Sequence, residues 1–302
     1  MSSYSSSALT SDYPTPRAVL ELLKPITWFP PMWAFACGVV SSGAPAQPHL
    51  RSILAGVILC GPLLCATSQA VNDWFDREVD AINEPNRPIP SGRMPGRWGL
   101  YIAMLWSLLS LACAAALGTW VVCAAAAGLA LAWGYSAPPI RLKQNGWWGN
   151  LACAVSYEGL AWVTGAVILS AGAAPSVRVL ALALLYSLGA HGIMTLNDFK
   201  SIDGDRRLGL GSLPVRLGAK RAGEVACITM AAPQFVVVVL LAEWGAKYHA
   251  IAVGAFLLAQ LLLMGRLLKS PRERAPWYNA TGVSLYVMGM LISAFAVRGL
   301  PA

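Results

Sequence analysis

Charge is the first thing this sequence is short of. Only 12% of its 302 residues are charged, against about a quarter in an ordinary soluble domain. Acidic residues number just 14, against 22 Lys and Arg. With 57% hydrophobic residues and a mean hydropathy of +0.57, the composition excludes a soluble globular chain and points to a polytopic membrane protein. Histidine is scarce, at three residues, and no cysteines are spaced CxxC, which excludes a zinc cluster. The seven cysteines (Cys37, Cys60, Cys65, Cys113, Cys123, Cys153 and Cys227) sit mostly in apolar runs and read as small packing residues. A cleavable signal is missing too. The start, "MSSYSSSALTSDYPTP", has no apolar stretch and reads as a disordered cytoplasmic tail over 1–16, followed by one intramembrane domain over 17–302.

Long apolar runs are what the chain does have. A bilayer core takes about 20 apolar residues per helix. Runs of that size recur at 26–44, 52–71, 99–117, 119–136, 148–170, 178–197, 225–243, 249–268 and 280–298. The fold expected is therefore all-α, with nine transmembrane helices in one bundle. Pro30, Pro31 and Gly118 blur the edges of the first and fourth runs. Nine spans leave Arg51, Arg178, Lys247 and Arg298 on one side and the other eighteen Lys and Arg on the side of the N-terminus. The positive-inside rule then puts the N-terminus in the cytoplasm and the C-terminus outside. The net charge of +8 follows from that topology, and no nucleic-acid partner is expected.

The few acidic residues are not scattered. "NDWFDREVD" spans Asn72 to Asp80, and "NDFKSIDGD" spans Asn197 to Asp205, 125 residues later. Both start Asn-Asp-aromatic at the cytoplasmic end of an apolar run, and both end in Asp eight residues after the Asn. If the helix continues, Asp73, Asp76 and Asp80 lie within roughly 60° of one another on one face. Asp198 and Asp205 repeat the outer two positions, Ser201 stands at the middle one, and Asp203 adds a carboxylate beside Gly204. A lone acidic helix end is commonly no more than a solvated terminus. Recurrence with the same Asn-Asp start argues for a paired acidic cup, because clustered like charges need a compensating cation. Oxygen donors of this kind suit Mg²⁺, often bound through one or two carboxylates and a substrate phosphate.

Cations surround the cup. Arg87, Arg93 and Arg97 lie in a Pro/Gly-rich loop after the first motif, Arg206 and Arg207 follow the second, Lys200 lies within it, and Arg141 and Lys143 come from "SAPPIRLKQNG". Positive-inside loops are basic in any case. Their interleaving with metal-type carboxylates is more specific, and suits a Mg-diphosphate clamped by guanidinium and ammonium groups.

Asn-Asp-x-x-Asp-x-x-x-Asp, a second Asp-rich motif and nine apolar runs resemble the UbiA-type intramembrane prenyltransferases. Closer still, "DAINEPNRPIPSGR", "KPITWFPPMWAF", "GRWGLYIA" and "HGIMTLNDFK" resemble the (bacterio)chlorophyll synthase branch, over about residues 17 to 299. The resemblance implies Mg²⁺ as cofactor and esterification of the propionate of bacteriochlorophyllide a with a C20 prenyl diphosphate, geranylgeranyl or phytyl. It implies a cell inner membrane or intracytoplasmic photosynthetic membrane. It carries Asn72, Asp73, Asp76 and Asp80 over as metal ligands, and Asn197, Asp198 and Asp205 likewise. Ser201 departs from the acidic form, with Asp203 as substitute ligand. Asp76 and Asp198 are the central catalytic candidates. Arg87, Arg93, Arg141, Lys143, Lys200 and Arg206 are candidates for the diphosphate.

Glu158 lies inside an apolar run, where an ionisable group is a functional candidate by default. It serves either the reacting centre or a structural hydrogen bond. Trp74, Tyr135, Tyr157 and Phe199 are candidates for the substrates, although aromatic belts explain many such residues. His191, about two turns before Asn197, is either a packed histidine or an axial ligand to the ring magnesium. The lipophilic product would call for pigment-protein assembly partners. Three rival readings remain. Another prenyltransferase of the superfamily would lack the tetrapyrrole phrases. A transporter with an acidic vestibule would repel its cation through Arg87, Arg93, Arg206 and Arg207. A pigment-binding scaffold gives no reason for paired Asp motifs.

Overall fold

The computed structural model describes residues 12–170, 172–298 and 300; most of the N-terminal tail, residues 1–11, lies outside them. From Asp12 onward the chain is held: the Trp98 indole donates to the Asp12 carbonyl, and Thr15 caps the first helix. The described residues are helical throughout apart from turns and one isolated backbone bridge. In order, the helices are α1 (Pro16–Leu23) and α2 (Phe29–Ser41), then α3 (Gln47–Phe75) and α4 (Arg77–Asn83). Next come α5 (Trp98–Leu117), α6 (Thr119–Ser136), α7 (Gly146–Ala154) and α8 (Ala161–Val167). The second half continues with α9 (Val177–Asn197), α10 (Ile202–Arg207) and α11 (Leu213–Leu217). It ends with α12 (Ala219–Glu243), α13 (Lys247–Leu267) and α14 (Pro271–Arg298).

Seven of these, α3, α5, α6, α9, α12, α13 and α14, are long and apolar enough to cross a membrane. Two of the nine expected runs fall short among the described residues. α2 has only 13 residues: a separate 3₁₀ turn, Pro25–Thr27, precedes it, and Pro30 and Pro31 lie in its first turn, where a missing N–H costs no helical bond. The run from 148 to 170 is split into α7, a π-helical segment Val155–Leu160, and α8.

A second π-helical segment, Leu59–Cys65, widens the middle of α3 and contains Pro62. Proline has no N–H to donate, so the ladder opens there. A neighbour also anchors this segment, Trp106 donating to Pro62 O at 3.1 Å. In a lipid environment every backbone group must be satisfied within the protein in this way.

α9 is the most enclosed of the seven long helices. Around it α2, α8, α12 and α14 close the main core, in which Trp162 stacks on Tyr186 at 5.6 Å and Tyr186 meets Tyr286 edge-on at 5.3 Å. Their polar tips are satisfied internally, Trp162 by Ser41 at 3.1 Å and Tyr186 by Ser293 at 2.7 Å. α2 and α8 touch backbone to backbone. A Cβ on Gly38 would sit 2.0 Å from Trp162 O, and one on Gly165 would sit 2.1 Å from Phe35 O. Small residues allow such close approach where lipid supplies no hydrophobic drive between helices.

Candidate active site

The two acidic motifs share a backbone fold that a continuous helix would not give. α3 stops at Phe75, Asp76 sits at φ −99°, ψ 3°, and α4 begins at Arg77. In the second copy a 3₁₀ turn Asp198–Lys200 stops, Ser201 sits at φ −105°, ψ 3°, and α10 begins. Asp76 and Ser201 are 125 residues apart, the same offset as Asn72 and Asn197. The expectation of an unbroken helix past the membrane is therefore corrected: each motif is a helix end, a one-residue break and a fresh short helix. The last Asp of each copy is tied to the break, Asp80 N to Asp76 O at 2.7 Å and Asp205 N to Ser201 O at 2.8 Å.

The first motif is saturated with cations. Asp73, 1% exposed, accepts from Lys24 Nζ at 2.6 Å and lies 3.4 Å from Arg87 Nη1. Asp80 pairs with the same Arg87 at 2.7 Å. Asp76 accepts from Arg141 at 3.3 Å and from Lys143. Asp73 Oδ2 stays buried with no hydrogen-bond partner. Burial pushes the Asp80 carboxyl up from its ordinary value, with Arg87 pulling the other way. Burial likewise pushes the Lys143 ammonium down, against the pull of Asp76. Asn72 donates to Ser136 Oγ at 3.3 Å.

In the second motif, Asp198 and Asp205 are held by neutral groups. Asn150, on α7, donates to Asp198 Oδ2 at 3.0 Å and to Thr195 Oγ1 at 3.2 Å. Ser201 donates to Asp205 Oδ2 at 2.8 Å, so the residue that departs from the acidic pattern orients the last carboxylate. Asn197 Oδ1 accepts from Asn279 at 2.8 Å. Asp203 pairs with Arg272 at the exposed surface, and that pairing keeps its carboxyl below the usual range. Lys200 and Arg206 are exposed. Arg93 pairs with Glu21 and donates to Asn86 O, away from the motif carboxylates.

Beneath the motifs lies a cavity of about 210 Å³ lined by Asn72, Tyr135, Cys153, Tyr157, Cys60 and Thr164 among others. Asn72 and Cys60 are 12 residues apart on α3, which sets the depth at about 18 Å. Both π-helical segments contribute wall residues, Leu64 and Cys65 from one and Ser156 and Leu160 from the other. Widened turns of this sort recur at functional sites. The Tyr157 hydroxyl accepts from Gln69 at 3.0 Å. Ala152 and Cys153 of the cavity wall follow Asn150 on α7, the residue that donates to Asp198.

Two of the five aromatic and imidazole candidates, Tyr135 and Tyr157, line this cavity. Phe199 is in the main core. Trp74 packs against Gly99 under the Arg77 guanidinium. His191 lines a separate groove. Glu158 is 7% exposed and does not line the cavity. Lys24 and Asn150, which the motif reading did not single out, each touch a motif Asp. Lys24 and Arg141 are the two non-glycine residues with positive φ among the described residues, at 45° and 37°, and both are ion-paired to a motif Asp.

A profile described as the UbiA prenyltransferase family matches residues 28–297. The chain belongs to the UbiA prenyltransferase family. It is accordingly a multi-pass membrane protein and a prenyltransferase. It is 56% identical to the bacteriochlorophyll synthase 33 kDa chain of Cereibacter sphaeroides over 95% of either chain. It is 39% identical to the chloroplastic chlorophyll synthase of Arabidopsis thaliana, over 92% of this chain and 73% of that one. Its fold matches a UbiA homologue from Archaeoglobus fulgidus, bound to GPP and Mg²⁺, with a TM-score of 0.73 at 20% identity, covering 91% and 99% of the two chains.

The donor set can be tested against a magnesium ion from this UbiA chain's own atoms. Every side-chain donor offered by the motifs is oxygen or amide, the preference of that ion, and Asp73 Oδ2 is a buried oxygen waiting for a partner. Among the described residues no three His, Cys, Asp or Glu side chains form a ready-made metal cluster. An ion that takes one or two carboxylates and completes its shell with phosphate and water needs none. The residues fit.

Proposed function

We propose that the protein esterifies the propionate of bacteriochlorophyllide a with a C20 prenyl diphosphate, geranylgeranyl or phytyl, releasing diphosphate. The observation that carries this reading is the pair of matching broken acidic motifs, the first of which supplies Asn72 to the wall of a cavity running down into the bundle. A relative named bacteriochlorophyll synthase, 56% identical over 95% of the chain, supports it. Mg²⁺ held by Asp73, Asp76 and Asp80 on one side, and by Asp198 and Asp205 on the other, supplies charge neutralisation to the leaving diphosphate when bound.

The residues of the chain do the rest. Lys24, Arg87, Arg141 and Lys143 hold the diphosphate and stabilise charge as the allylic C–O bond breaks, the electron pair leaving with the diphosphate. The cavity below Asn72 takes the prenyl tail and keeps water from the allylic cation. Tyr135 and Tyr157 line it near the reacting end. The acceptor is a carboxylate already ionised at neutral pH; its oxygen bonds to the allylic carbon, no proton moves, and no general base is required. We read α2 and the composite α7–α8 as the two remaining crossings, which makes nine. The N-terminus and the motifs then face the cytoplasm and the C-terminus the opposite side, in the inner or intracytoplasmic photosynthetic membrane.

The test is a pigment assay on membranes containing this chain, with Mg²⁺ and geranylgeranyl diphosphate. Bacteriochlorophyllide a, chlorophyllide a and 4-hydroxybenzoate are offered separately. The expected result is lipophilic ester from bacteriochlorophyllide. Prenylated hydroxybenzoate, or no ester from either pigment, would overturn the substrate assignment.

A further inference from the structure

A second space lies outside the reaction cavity. It is a groove of about 460 Å³ between α7, α9 and α12, walled by Trp147, Trp148, Leu188, Ile228 and Pro233 with His191 among them. That volume is in the range of small-molecule sites. α7 is the partition between the two spaces: Trp147, Trp148 and Leu151 face the groove, while Ala152 and Cys153 face the cavity. Trp147 and Trp148 are 42% and 59% exposed, an open flank of flat aromatic surface at membrane level.

His191 is 6% exposed. Its Nε2 lies 3.2 Å from the Trp147 carbonyl. A carbonyl only accepts, so Nε2 carries the proton, and in the neutral ring Nδ1 holds the lone pair. Nδ1 has no hydrogen-bond partner. A histidine whose one nitrogen donates to a backbone carbonyl while the other keeps a free lone pair is the arrangement found in metal-ligating histidines. The Trp147 indole stacks on the imidazole at 5.5 Å and 28°; it covers the face of the ring, whereas the Nδ1 lone pair lies in the ring plane and is not engaged by it. A purely packing histidine gives no reason for an unpaired buried nitrogen beside an open apolar groove.

We propose that this groove docks a magnesium-centred tetrapyrrole ring and that His191 Nδ1 supplies the axial ligand to its metal. The ring lies between the indoles of Trp147 and Trp148 and the apolar side chains of α9 and α12, separated from the reaction cavity by α7 alone. The proposal rests on the reading that the acceptor is a magnesium tetrapyrrole. It adds a site outside the reaction cavity, which serves either the free acid before reaction or the ester after it.

The experiment titrates the full chain in lipid nanodiscs, without prenyl diphosphate. The four probes are bacteriochlorophyllide a, bacteriochlorophyll a and their magnesium-free counterparts. The readouts are affinity and the visible absorption band that reports the coordination number of the magnesium. The expected result is at least a tenfold preference for the magnesium ring over the metal-free ring, with a five-coordinate band, and loss of both in His191→Phe. Equal affinity of the wild-type chain for the two rings would overturn the proposal without recourse to any variant, as would a His191→Phe chain that keeps the preference. A preference between acid and ester upholds the site and says which of them uses it. Ester formation by the same wild-type preparation is measured in parallel. Activity without metal discrimination removes only the groove assignment, whereas absence of ester from any pigment removes the functional reading itself.

Discussion

Asp76 accepts two cations at once, Arg141 and Lys143, and sits at the break of the first motif. Asp76→Asn keeps hydrogen-bond acceptance from both but removes the charge. Turnover is expected to fall on the order of 10²-fold or more, with the folded protein recovered in normal yield, as the pigment assay and size-exclusion profile will read. Glu158 gives the contrasting case. It does not line the cavity, and its Oε2 is buried without a partner. Glu158→Gln should leave turnover within about twofold. Gln keeps the shape and places an amide in the same buried, partnerless position, so thermal stability should change by no more than about 1–3 kcal/mol. A hundredfold loss in the same assay would return Glu158 to the reacting centre. The strained backbones of Lys24 and Arg141, the two positive φ values at non-glycine positions among the described residues, are explained by what their side chains reach. Strain of that kind persists where surroundings over-determine it, and here both are anchored to motif carboxylates.

At the level of elements, the two motifs and most of the long helices were legible in the sequence, because apolar run length and the Asn-Asp start are local signals. The break at Asp76 was not. Neither Asp nor Ser marks a helix stop in the way Gly or Pro does, and the matching breaks at Asp76 and Ser201 emerge only when the backbone is seen. Lys24 and Asn150 were not singled out either, since their contacts join residues 49 and 48 positions apart, a separation at which periodicity carries no information. His191 and Phe199 lie near the second motif along the chain, but a helix has several faces: His191 turns to the groove and Phe199 to the main core, a difference that run length does not show. The contact of α2 with α8 yields a prediction on the same scale. Gly165→Leu places a side chain where a Cβ already meets Phe35 O at 2.1 Å, so the helices must part. A loss of about 3 kcal/mol or more is expected, seen as a lower melting temperature in detergent or failure to accumulate folded protein.

Across the whole molecule, the first motif is a set of internal ion pairs. A prenyl diphosphate needs the same lysines and arginines that now neutralise the first motif, and a metal needs the carboxylates those cations occupy. Binding either alone leaves the other partner's charges uncompensated. Mg²⁺ and diphosphate should therefore strengthen each other's binding reciprocally, by about 5- to 150-fold if the coupling is of ordinary size. Calorimetric titration of Mg²⁺ with and without pyrophosphate measures it; equal affinities in the two titrations would contradict this description of the site. Among the described residues an isolated backbone bridge also ties the two halves of the bundle, Gly146 N to Gly211 O at 2.9 Å and Gly211 N to Gln144 O at 3.1 Å. That bridge fastens the loop bearing Arg141 and Lys143 to the loop that follows the second motif. The cations that meet Asp76 are thereby moored to the backbone that leaves the other acidic motif, so one short stretch of chain keeps both halves of the site in register.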